Sequence, residues 1–92
     1  MGMTPEQAFR QEYGGSVNFM TPNVVRYGWI KKDQFAYEIS KGLGFDNEPI
    51  YGITIVEVTA NGKTQRRTDL GQMFFSMEEA RAHIAALAQD AR

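Results

Sequence analysis

The nearest this chain comes to a nucleophile and its base is Ser76 with His83, the only histidine. Attack by a serine hydroxyl needs an imidazole within hydrogen-bond reach and a third group to orient that imidazole. Ser76 instead opens Ser76-Met77-Glu78-Glu79, the capping-box pattern in which a hydroxyl and a glutamate each satisfy the other's backbone N–H at a helix start. Two helical turns of rise separate the pair by about 10 Å, so the chain reads as a non-enzyme. With no cysteine there is no thiolate, no disulfide and no common zinc ligand set. Asp46-Asn47-Glu48 offers oxygen ligands without the twelve-residue spacing of a calcium loop. Gly42-Leu43-Gly44 has no helix after it to complete a phosphate loop. The expectation is therefore no metal and no cofactor.

Aromatic and cationic residues offer more. Tyr27 and Trp29 stand among Arg26, Lys31 and Lys32, while Lys63, Arg66 and Arg67 lie further on. A sheet that mixes cations with stacking aromatics can bind nucleic acid, with phosphates on Arg26, Lys31, Lys32 and Arg67 and bases on Tyr27 and Trp29. The order helix, sheet, helix is similar to that of double-stranded-RNA-binding domains. The stretch from Arg26-Tyr27-Gly28-Trp29 through Phe35-Ala36-Tyr37-Glu38-Ile39, with Phe75-Ser76-Met77-Glu78-Glu79-Ala80 later, is similar to plant AP2-type DNA-binding domains. Those resemblances imply a nucleic-acid partner. The chain departs from both patterns. Glu78-Glu79 open the second helix where the RNA-binding family places lysines, and residues 49–59 would be a strand beyond the three of the AP2 pattern. A net charge of -1 provides no general attraction for polyanions. Nucleic acid is the alternative reading.

The elements that must position these residues follow from pattern. Residues 50–75 begin with a β-branched run suited to a pleated, half-buried surface. Asn61-Gly62 then marks a hairpin, and a two-residue type I′ turn is the expected connection. An even-numbered loop sets Val58 opposite Gln65, Glu57 opposite Arg66, Val56 opposite Arg67 and Ile53 opposite Leu70. Residues 24–32 and 35–41 form a second antiparallel pair around Asp33-Gln34. On a two-residue loop, Trp29 faces Glu38 and Tyr27 faces Ser40; a three-residue loop would shift that register by one. Thr4-Pro5-Glu6-Gln7 starts a short helix with its own capping box and a proline at the first helical position, and Gly14-Gly15 ends it. Residues 16–23 read as irregular or as an edge strand, since Pro22 breaks any long element. Residues 42–49 are a loop. From Ser76 a longer helix runs to about Ala91, with Met77, Ala80, Ile84, Leu87, Ala88 and Ala91 on one apolar stripe.

The sum is a single α+β domain over all 92 residues. It has a four-stranded antiparallel sheet, a short N-terminal helix, and a long C-terminal helix packed on one face as a two-layer sandwich. That helix would cover Ile30, Ile39, Ile53, Ile55 and Leu70. The opposite face would carry Tyr27, Trp29, Val56 and Val58, with Lys31 and Arg67 among them, and four large apolar groups on one open face need an explanation. Either the N-terminal helix and residues 16–23 fold over it, or it is a partner surface, most often for a second copy of the chain. The expected function is a small interaction module, self-associating or binding a protein partner through this face or a sheet edge. No apolar run is long enough for a membrane span, no leader sequence is evident, and the absence of cysteine fits a reducing cytoplasm.

Overall fold

A computed structural model describes residues 3–13 and 24–90. The expected helix stop at Gly14-Gly15 and the irregular segment at 16–23 fall outside those residues. The chain forms α1 (Pro5–Tyr13), β1 (Val24–Lys31), β2 (Phe35–Leu43), a single 3-10 turn at Phe45–Asn47, β3 (Pro49–Val58), β4 (Thr64–Arg66), β5 (Gln72–Phe74) and α2 (Met77–Asp90). The α+β class and the antiparallel sheet agree with the sequence. The strands run in the order β1-β2-β3-β4, and β5 also pairs with β3, so β4 and β5 together line one flank of β3.

Both helix starts form as the sequence dictates. Thr4 donates its backbone N–H to Gln7 Oε1 (2.8 Å) and its hydroxyl accepts from the Gln7 N–H (3.1 Å). The Ser76 hydroxyl accepts from the Glu79 N–H at 3.1 Å. Such caps satisfy donors that the first helical turn leaves without partners.

The hairpins differ from expectation in register. Both use three-residue loops. In the first, Lys31 pairs with Phe35, and Asp33 takes a left-handed conformation (φ 63°) where a glycine would be usual. A bulge between Trp29 and Lys31 then shifts the register once more, so Trp29 faces Ala36 and Tyr27 faces Glu38. In the second, the Gly62 N–H bonds to the Thr59 carbonyl and only Gly62 has positive φ (79°). The connection is therefore not the two-residue type I′ turn. Val58 faces Thr64, Glu57 faces Gln65 and Val56 faces Arg66.

The sheet is covered on both sides, so of the two possibilities for the second face it is the N-terminal helix that folds over it. Tyr37, Ile39, Ile53, Ile55 and Ala80 form one buried cluster, joined by Ile30, Leu70, Phe74, Met77, Ile84 and Leu87 under α2. On the other face Ala8 and Phe9 of α1 bury against Ala36 and Val56, with Tyr27, Trp29 and Val58 packed around them. Phe9 is wholly inaccessible to solvent. A helix of nine residues is marginal alone, and this apolar seat holds it.

Candidate interaction surfaces

The six residues expected to form one open face separate into two groups. Tyr27, Trp29, Val56 and Val58 do share a face, but it is the seat of α1. Val56 is fully buried, and the Phe9 ring lies 5.7 Å from the Tyr27 ring. Lys31 and Arg67 leave that face. Lys31 pairs with Phe35 beyond the bulge. Arg67 follows the shifted register of β4, its N–H bonded to the Ile55 carbonyl. Its guanidinium lies 5.7 Å from the Phe35 ring, on the α2 side of the sheet.

There Arg67 binds Asp69 at 2.8 Å and Glu57 at 3.1 Å. The hydrogen bonds it donates, to Asp69 first and Glu57 second, hold its pKa above the ordinary guanidinium range. In return the Arg67 hydrogen bond holds the Asp69 carboxyl below its usual value. Arg66, expected opposite Glu57, instead reaches α1: it pairs with Glu12 at 3.3 Å and stacks over Tyr13 at 4.5 Å. Both arginines are thus engaged within the fold. His83 Nε2 lies 3.1 Å from the Leu70 carbonyl, so that nitrogen carries the proton and ties α2 to the turn before β5. Its ring also packs on Phe74 at 5.2 Å. The geometry gives it a structural partner in place of a nucleophile.

Beside the N-terminal end of α1, Trp29 and Val58 border a groove of about 320 Å³ with Met3, Asp33, Thr59, Ala60 and Gly62. The exposed large apolar side chains lie elsewhere: Met73 (69%), Phe75 (71%), Leu43 (70%), Phe45 (97%) and, on β1, Val25 (47%) stand out to water. Met73 and Phe75 flank Phe74, which faces the α2 core, as strand alternation requires. The pairing read from the sequence ended at Leu70 opposite Ile53 and gave this run no partner strand. The signal was the sequence Met73-Phe74-Phe75 itself, because alternation sends two adjacent phenylalanines to opposite faces and only one of them can join the α2 core.

The two edges of the sheet contrast. β1 carries bulges at Val24/Arg26 and Trp29/Lys31 and the cations Arg26 and Lys31, devices that discourage pairing with another strand. Residues 71–76, around β5, contain no charged residue and no proline.

Among the described residues, no group of three or more His, Asp or Glu side chains is placed to hold a metal ion. No described helix is long and apolar enough to cross a membrane. Compared with protein-family models, curated proteins and solved structures, the chain matches none.

Proposed function

We propose that this chain is a small non-enzymatic interaction module that pairs with a second copy of itself through the β5 edge. The observation that supports this reading is the pairing of an uncharged edge strand with two large exposed side chains, Met73 and Phe75, opposite an edge guarded by bulges and cations. An antiparallel β5–β5 contact across a twofold axis would bring the same two side chains from each copy together, as an isologous interface requires. Complete burial of those four side chains contributes at most roughly 6–12 kcal/mol gross. Association itself costs about 4–15 kcal/mol. The balance favours a weak, reversible dimer.

Light scattering tests this. The wild type should shift from monomer to dimer between low and high micromolar concentration. Met73→Lys, at an exposed position, should keep the circular dichroism of the fold and remain monomeric. A wild type that stays monomeric at high micromolar concentration defeats the proposal. Nucleic-acid binding by Tyr27 and Trp29 has less support, since α1 occupies the face those aromatics would use.

A further inference from the structure

Five arginines lie among the described residues, and three are neutralised by carboxylates: Arg10 by Glu6, Arg66 by Glu12, and Arg67 by Glu57 and Asp69. The other two, Arg26 and Arg81, form no ion pair with any described residue. These two come from different elements, β1 and α2, and border the same cleft. It measures about 250 Å³, and its other described lining residues are Tyr37, Ile39 and Ile84. None of these is acidic.

We propose that this cleft binds a small phosphomonoester, with the dianionic phosphoryl group held by Arg26 and Arg81 and an apolar body against Ile39, Ile84 and the Tyr37 ring. The charge count selects the head group. Two guanidinium groups balance a phosphate dianion, and their planar forks match its oxygens. The walls select the body, because aliphatic and aromatic surface next to the cations rewards a ligand with apolar area. Size selects a small molecule, since the cleft lies below the usual range of roughly 300–1,000 Å³ for drug-sized ligands. Gly28 lets the Tyr37 wall of the cleft lie close over β1: it faces Tyr37 across the β1–β2 ladder, and a Cβ there would stand 2.5 Å from the phenol end of the ring. The cleft borders β1, at the sheet edge opposite β5, so a dimer through β5 leaves it accessible.

Heteronuclear NMR titration with phenyl phosphate and with inorganic phosphate tests the site on the intact chain. Phenyl phosphate should give saturable shifts at the Arg26 and Arg81 Nε–H groups and the Ile84 methyls. Inorganic phosphate should shift the same arginines with weaker affinity. Arg81→Gln, at an exposed helix position, should weaken phenyl phosphate by about tenfold or more, and Arg81→Lys by less. Arg10→Gln should change nothing, because that cation is outside the cleft. The proposal is overturned by shifts that do not saturate, by equal affinity for the two phosphates, or by an Arg10→Gln loss matching that of Arg81→Gln.

Discussion

The Tyr27 hydroxyl donates a hydrogen bond to the Glu38 carboxylate, directly opposite it in the β1–β2 ladder and beneath α1. Glu38 is only 1% exposed, the one charged side chain among the fully buried residues described. A carboxylate without water depends on its donors. Tyr27→Phe keeps the ring against Phe9 and removes the donor. It should lower stability by about 1–3 kcal/mol, read from urea denaturation at neutral pH. Glu38→Gln, which retains an acceptor and removes the charge, should cost less.

The same contact sets an alkaline limit. Burial first, then the Glu38 charge, raises the Tyr27 pKa above the usual 10.0. Burial likewise raises Tyr13, although Arg66 opposes the shift. With a raised folded pKa, the unfolded chain loses its phenol protons first as pH climbs. Stability from these groups is therefore complete below the unfolded value and declines as pH rises through the folded one. Urea midpoints measured at about pH 9 and about pH 11 should show that decline, and it should be shallower in Tyr27→Phe.

Gly28→Ala tests close packing across the ladder. Replacing a strand glycine would ordinarily help by roughly 0.5–1 kcal/mol through backbone entropy. Here the added Cβ meets the Tyr37 ring at 2.5 Å, so the ring must leave its buried position and move into the Arg26/Arg81 cleft that it borders. The clash should win, at a net cost of about 1–3 kcal/mol. The double variant Gly28→Ala/Tyr37→Leu should recover part of that loss, because it removes the ring end that the methyl strikes.

What could be read in the chain depended on parity. In the first hairpin, the three-residue loop and the bulge at Ile30 each shift the register by one residue. The two shifts cancel in face, so Tyr27 and Trp29 were assigned to the correct side although both their partners were wrong. In the second hairpin the Gly62 loop shifts the register once with nothing to offset it, so Arg66 and Arg67 exchange faces. Bulges and loop length have weak local signatures, whereas hydrophobic alternation and capping boxes have strong ones; hence the caps at Thr4 and Ser76 were legible. The seat of α1 was legible only as one of two possibilities. Ala8 and Phe9 needed burial, yet nothing local says which face a short helix will cover. The Arg26/Arg81 cleft was not legible at all, because it joins a strand and a helix far apart in sequence.

The docking of α1 can be followed through Trp29, the chain's only tryptophan. Phe9 is the largest fully buried side chain on that side and touches the cluster that includes Trp29. Phe9→Ala removes an aromatic anchor worth about 3–5 kcal/mol. Beside the buried Ala8, the other attachments of α1 include the Glu12–Arg66 pair, the Arg66 guanidinium over the Tyr13 ring and the Gln11 side chain on the Gly62 carbonyl, each polar contact worth roughly 1 kcal/mol or less. They cannot offset the loss, so α1 should detach while the α2-side core persists. Trp29 emission should then move to longer wavelength at denaturant concentrations where far-ultraviolet circular dichroism still reports the sheet. Coincident transitions by both probes would mean instead that α1 and the sheet unfold as one cooperative unit.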